Sequence, residues 1–92
     1  MNNTYIHSVS KIDSNNSCIL LYNNTYVIKD ILKGAGYSFD EESSHWYKII
    51  DKTAVSPKEE LANIITLTDG LTTIVKSKAT DIECKIALRL MK

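Results

Sequence analysis

Two short runs near the start of the sequence combine β-branched and aromatic residues in partial alternation with polar ones. They cover residues 4–12 and 18–22, and the intervening stretch 13–17 is dense in turn-forming residues. Such a pattern is typical of a β-hairpin. We therefore expect these residues to form two antiparallel strands.

The next apolar positions recur at helical spacing, which predicts an amphipathic helix. They are Val27, Ile28, Ile31, Leu32 and Ala35. Asn24 or Thr25 can cap the start of this helix through a side-chain oxygen. Gly34 or Gly36 can end it, because glycine readily adopts the left-handed conformation that closes a helix.

A second hairpin is predicted directly after these glycines. Tyr37 and Phe39 alternate with polar neighbours, as on a half-buried strand. Residues 40–44 form a polar turn, and residues 45–50 supply the returning strand. The spacing of the two runs fits an antiparallel pair.

The second half of the chain carries helix-start signals. Ser56 and Pro57 favour a helix start, with Glu59 as the third member of a capping box. After residue 65 a helix competes with a hairpin turn at residues 69–70. Residues 80–92 alternate like a strand, yet Thr80 and Glu83 form a second capping box, and we favour a helix there.

Together these elements predict one α+β domain over residues 1–92. We expect a small antiparallel sheet of two β-hairpins, packed with one central helix and one or two C-terminal helices. The chain has 92 residues, of which 43% are hydrophobic, and this content is typical of a globular protein.

Charge and targeting signals limit the class of protein. Eleven basic and eleven acidic residues give a net charge of zero, which argues against tight nonspecific binding of nucleic acid. No apolar stretch is long enough to span a membrane, and residues 1–10 lack the features of a signal peptide. A cytoplasmic location without membrane contact is therefore expected, with Cys18 and Cys84 as buried reduced thiols.

Catalytic patterns are weak throughout the sequence. His7 and His45 are not part of a recognised nucleophile motif, and the glycines near residue 35 lack the context of a phosphate-binding loop. The acidic residues 40–42 beside His45 form a solvated turn more readily than a metal site, because consecutive turn residues point in different directions. We expect no enzyme activity, catalytic residue, metal or cofactor.

Six aromatic residues lie within 26 positions of the chain. They are Tyr22, Tyr26, Tyr37, Phe39, Trp46 and Tyr47. The simplest interpretation places them in the core. Two alternatives remain open: exposed rings could stack on nucleic-acid bases with lysines nearby, or they could anchor a protein partner.

Residues 29–47 resemble a small, poorly characterised domain of plasmid and phage DNA-processing proteins. The matching positions are Lys29, Asp30, Lys33, Gly36, Phe39, Asp40, Trp46 and Tyr47. The same stretch is similar to the HARP domain of annealing helicases. The resemblance implies a strand–helix–hairpin unit in which Phe39 and Trp46 hold the hairpin against the helix, while Lys29 and Lys33 are available for contacts.

The sequence departs from that family in two ways. Phe39 replaces the usual tryptophan, and residues 41–45 replace a turn that is usually basic. The loss of positive charge weighs against direct contact with nucleic acid. We therefore expect a non-enzymatic, anti-CRISPR-like protein-binding module: a phage or mobile-element inhibitor that docks on a host nucleic-acid-processing or defence (CRISPR-type) complex.

The alternative function is a module that binds single-stranded DNA or RNA. In either case the candidate binding residues are Lys29, Lys33, Tyr37, Trp46, Tyr47 and Lys48. The expected partner is a host protein or nucleoprotein complex. A homodimer is a further possible assembly, because a core of this size can leave part of the apolar C-terminal segment uncovered.

Overall fold

The computed structural model describes residues 3–92, which form one five-stranded sheet with α-helices on both of its faces. The strands are β1 (Asn3–Ser10), β2 (Asn16–Tyr22), β3 (Ser38–Asp40), β4 (His45–Asp51) and β5 (Thr73–Lys76). The α-helices are α1 (Lys29–Gly34), α2 (Pro57–Leu67) and α3 (Asp81–Leu90). A short 3-10 helix (Thr25–Ile28) leads into α1.

The strand order is β3-β4-β2-β1-β5, and the sheet is mixed. The α+β class is confirmed, and the two expected hairpins, β1–β2 and β3–β4, both form. The expectation of a small, purely antiparallel sheet was wrong. Strand β2 also pairs with β4, which joins the hairpins, and β5 adds in parallel beside β1.

The two faces of the sheet carry separate hydrophobic clusters. The 3-10 helix, α1 and α2 cover one face, where Ile28, Leu32 and Ile64 pack with residues of β1, β2 and β4. Helix α3 covers the opposite face, where Ala87 and Met91 pack against β1 and β2. The result is a three-layer arrangement with the sheet in the middle.

The starts of α2 and α3 follow the capping signals of the sequence. The Ser56 hydroxyl accepts a hydrogen bond from the Glu59 amide at 3.2 Å, and Pro57 is the first residue of α2. Helix α2 ends at Leu67, and the Asp69–Gly70 segment turns the chain into β5. Thr80 and Glu83 form the predicted capping box of α3, so the helical interpretation of the last segment is confirmed.

The predicted cap of the central helix was wrong. Asn24 precedes the 3-10 helix with a φ of 55° and makes no capping hydrogen bond. Its side-chain amide instead donates to the carbonyl of Asn3 at 3.2 Å. Gly36 closes α1 as predicted, with a φ of 93° that L side chains rarely adopt.

A cluster of charges ties the acidic β3–β4 turn to α3. Arg89 Nη2 lies 2.6 Å from Asp40 Oδ2, and Arg89 Nη1 lies 3.1 Å from Glu42 Oε2. The hydrogen bond from Arg89, with further bonds from Ser43, lowers the pKa of the Asp40 carboxyl below its ordinary value of 3.8. The turn is therefore partly held by α3 rather than simply solvated.

This contact is expected to make stability depend on acid pH. A carboxyl whose folded-state pKa is depressed stabilises the fold above its unfolded pKa and loses that contribution as the pH falls through the folded pKa. Asp40→Asn should therefore lower the urea midpoint at neutral pH, with the difference from the original protein shrinking well below pH 3.8. Arg89→Gln removes the other partner of the same contact and should show the same dependence on pH. A difference in stability between Asp40→Asn and the original protein that stays constant with pH would contradict the assignment.

Candidate partner-binding groove

An apolar groove of about 260 Å³ lies where the 3-10 helix meets the edge of the sheet at β3. Its lining residues are Thr25, Tyr26, Lys29, Phe39 and Trp46. They come from the 3-10 helix, the start of α1, and the two strands of the second hairpin. The local folding of residues 25–46 therefore assembles the groove.

The hairpin register brings two of the aromatic rings together. Phe39 pairs directly with Trp46 across β3 and β4, so their side chains project from the same face of the sheet. The ring centroids lie 5.3 Å apart at an angle of 58°, a tilted aromatic contact. Trp46 is only 7% exposed, whereas Phe39, on a three-residue edge strand, is 45% exposed.

Tyr26 is the most exposed ring of the groove. It is 79% exposed, while Ile28, two residues later in the same 3-10 helix, is fully buried. Lys29 Nζ lies 5.1 Å from the centroid of the Tyr26 ring and 3.9 Å from Asp30 Oδ1. The groove thus has exposed aromatic walls and one positive charge at its rim.

Two predicted binding residues take part in an internal cluster instead. The Tyr37 hydroxyl donates to Glu60 Oε2 at 3.3 Å, and Lys48 Nζ donates to Glu60 Oε1 at 3.2 Å. Lys48 Nζ also lies 5.6 Å from the centroid of the Tyr37 ring. Burial, followed by the negative charge of Glu60, raises the pKa of Tyr37, so its hydroxyl remains a donor at neutral pH.

The six residues predicted from the sequence are therefore spread over different parts of the molecule. Lys29 and Trp46 line the groove, and the exposed Lys33 lies one turn further along α1. Tyr47 lies on the opposite face of the sheet, against the cluster formed with α3. Tyr26 and Phe39 belong to the aromatic group identified in the sequence but not to its six candidate binding residues, and only the register of the β3–β4 hairpin brings Phe39 beside Trp46.

Both histidines contact neighbouring polar groups and Cys18 is buried, whereas Cys84, which was expected to be buried, is only partly so. His7 is buried, with Nδ1 3.0 Å from the Ser77 carbonyl oxygen and Nε2 3.4 Å from Glu83 Oε1. His45 Nδ1 lies 2.7 Å from the Ser43 carbonyl oxygen. Burial raises the pKa of the Cys18 thiol to about 12, so this thiol stays protonated.

Two structural absences hold for the described part of the chain. Within residues 3–92, no group of three or more His, Cys, Asp or Glu side chains is arranged to hold a metal ion. The helices found in the same range are all too short or too polar to cross a membrane.

Comparison with known proteins gives no match: no family model, no curated protein and no solved structure is similar to this chain. The fold and the groove are therefore the basis for a functional proposal.

Proposed function

We propose that this chain is a cytoplasmic, non-enzymatic protein-binding module. The observation that carries the proposal is the groove at the β3 edge, in which Tyr26 and Phe39 expose aromatic surface beside the indole of Trp46. Aromatic side chains of this kind are enriched among the residues that dominate binding energy in protein interfaces.

The chemistry of the groove suggests what it binds. Its walls are mainly apolar, and its one cation, Lys29, lies at the rim with Lys33 exposed nearby. A segment with a large apolar side chain next to an acidic residue would place the first in the groove and the second near the lysines. A host nucleic-acid-processing or defence complex, as expected from the sequence, is the first place to look for such a segment.

Selection of peptides from a random display library tests the proposal, because the only tryptophan of the chain lines the groove. We expect the selected peptides to combine an apolar anchor with Asp or Glu and to change the fluorescence of Trp46. Tyr26→Ser and Phe39→Ser should each weaken binding about tenfold or more, as expected for central anchor residues.

Ile12→Ser is the matched control. Ile12 is 97% exposed in the β1–β2 turn, at the end of β2 away from the Trp46 pairing position, so its loss should leave peptide affinity unchanged. Circular dichroism should show the same fold for all three variants. Selected peptides that bind equally well to Tyr26→Ser and Phe39→Ser, or the recovery of no binding peptide, would contradict the proposal.

Single-stranded nucleic acid is the second candidate ligand. The exposed Tyr26 ring beside Lys29 favours it, with Lys33 exposed one turn further along α1. The zero net charge and the internal pairing of Lys48 with Glu60 weaken it. These features rank it below a protein partner.

Fluorescence anisotropy with labelled oligothymidine and oligouridine separates the two candidates. The nucleic-acid function predicts binding that falls steeply with added salt and is reduced by Lys29→Ala and Lys33→Ala. No binding at tens of micromolar protein would exclude it. An affinity that changes neither with added salt nor with Lys29→Ala and Lys33→Ala would also contradict an electrostatic contact with phosphates.

A further inference from the structure

The imidazole of His7 lies between two oxygen acceptors on the face of the sheet that α3 covers. Its Nδ1 is 3.0 Å from the carbonyl oxygen of Ser77, the residue after β5, and its Nε2 is 3.4 Å from Oε1 of Glu83 on α3. His7 is 2% exposed and Glu83 is 8% exposed. Within residues 3–92, Nε2 has no hydrogen-bond partner. From its position on β1, the ring therefore reaches both α3 and the segment that follows β5.

Neither neutral form of the His7 ring satisfies both contacts. A neutral imidazole has one N–H donor and one bare nitrogen that can only accept a hydrogen bond. With the proton on Nδ1, the ring donates to the Ser77 carbonyl, and the lone pair of Nε2 faces the carboxylate of Glu83. With the proton on Nε2, the Ser77 hydroxyl at 3.2 Å can donate to Nδ1, but the lone pair of Nδ1 also faces the carbonyl oxygen. Each neutral tautomer thus brings two acceptors together in a buried site.

The carboxylate of Glu83 is held in place by the start of its own helix. Its Oε2 accepts hydrogen bonds from the backbone amide and the hydroxyl of Thr80, within the capping box of α3. Oε1 is the oxygen that faces His7. The position of the carboxylate beside the ring is therefore fixed by the helix cap, and Oε1 remains available to accept from Nε2.

The other titratable groups near the ring come from neighbouring strands. The Tyr22 ring on β2 stacks on His7, with centroids 5.5 Å apart, and Tyr5 and His45 contact Tyr22 from β1 and β4. Burial, followed by the charge of Glu83, raises the pKa of Tyr22, so its hydroxyl stays uncharged at neutral pH. Among the residues that the structure describes, Glu83 is the acidic side chain that pairs with His7.

We propose that His7 and Glu83 form a pH-dependent contact, in which the folded protein holds His7 as an imidazolium and loss of one ring proton weakens the attachment of β1 to the start of α3. An imidazolium donates from both nitrogens, so it satisfies the Ser77 carbonyl and the Glu83 carboxylate together. A contact that requires a bound proton stabilises the fold at lower pH and loses that contribution as the pH rises. The contact lies on the opposite face of the sheet from the groove, so the proposal does not depend on the binding function.

NMR of the ring nitrogens tests the number of bound protons directly. The chain contains two histidines, so His45→Gln leaves His7 as the single imidazole to observe in protein without a histidine tag. At about pH 7, where histidine is ordinarily mostly neutral, we expect both nitrogens of His7 to carry protons. Adding Glu83→Gln should leave a neutral ring, because the glutamine NH2 can donate to Nε2 while its oxygen still accepts from the Thr80 amide.

Urea denaturation provides the second readout. Between about pH 5 and about pH 8, the unfolding equilibrium constant of the original protein should rise roughly tenfold relative to that of Glu83→Gln, the effect of losing one hydrogen bond to a charged group. His45→Gln is the matched control and should keep this dependence, and circular dichroism should show that both variants fold. A His7 ring with one proton at about pH 7, or a stability difference between the original protein and Glu83→Gln that does not change with pH, would overturn the proposal.

Discussion

Replacing Lys48 with methionine is expected to lower the free energy of unfolding by about 2 kcal/mol, because it leaves the buried Glu60 carboxylate without a cation. Glu60 lies on α2 and its side chain is almost fully buried, whereas the Lys48 side chain is partly exposed. That partial exposure places the expected loss below the range for fully buried pairs. Urea denaturation followed by circular dichroism measures it.

A second substitution distinguishes loss of the charge pair from loss of packing. Glu60→Gln in the Lys48→Met background removes the buried charge and keeps an oxygen that can accept from the Tyr37 hydroxyl. We therefore expect the double variant to recover most of the lost stability. Glu60→Gln alone should cost less than Lys48→Met, because Lys48 can then turn its ammonium towards water.

Lys58→Met is the control for a lysine without a buried partner. Lys58 is exposed on the first turn of α2, and its loss should change stability by less than about 0.5 kcal/mol. If Lys48→Met lowers the free energy of unfolding as little as Lys58→Met does, Lys48 does not hold Glu60 in place. It would then be free to act in recognition, as the sequence-based hypothesis proposed.

The sequence could not reveal that Lys48 is a structural residue. Its partner Glu60 follows a strong helix-start signal, where acidic residues are common for a local reason. Only the packing of α2 against β4 brings the two side chains to 3.2 Å. The same limitation applies to the groove, whose position depends on the 3-10 helix lying beside an edge strand.

Features with local causes were predicted well. The cap at Ser56, the capping box at Thr80 and the closing glycine at position 36 depend on residues within a few positions, and all three form, although the expected box at Ser56 is represented only by the bond from the Glu59 amide. Strand β5 was different, because it pairs with β1, about seventy positions earlier in the chain. No local pattern specifies such a pairing or its parallel direction.

One local signal for the full sheet was nevertheless present. Residues 18–21 form an uninterrupted apolar run, and such a run is typical of a strand that is buried on both faces. In the structure, Leu20 faces the cluster with α3, Leu21 faces the cluster with α1, and both side chains are fully buried. A sheet of two hairpins with helices on only one face does not require four consecutive apolar residues in a strand.

Leucine-to-alanine substitutions at these two adjacent positions test the three-layer fold. We expect Leu20→Ala and Leu21→Ala each to lower the free energy of unfolding by about 3 kcal/mol, because each leaves a cavity in a separate core. Side chains alternate along a strand, so an uncovered face would make one of the two substitutions nearly neutral. The measurement is urea denaturation of both variants under the same conditions.

The comparison between the two variants is more informative than either value alone. A loss below about 1 kcal/mol for Leu20→Ala, with a large loss for Leu21→Ala, would mean that α3 does not cover its face of the sheet. Comparable losses would instead establish that α3 is part of the folded core. In that case α3 holds Arg89 where it contacts Asp40. This contact stabilises the β3–β4 hairpin, which carries Phe39 and Trp46. The packing of α3 on the sheet would then also stabilise the conformation of the partner-binding groove.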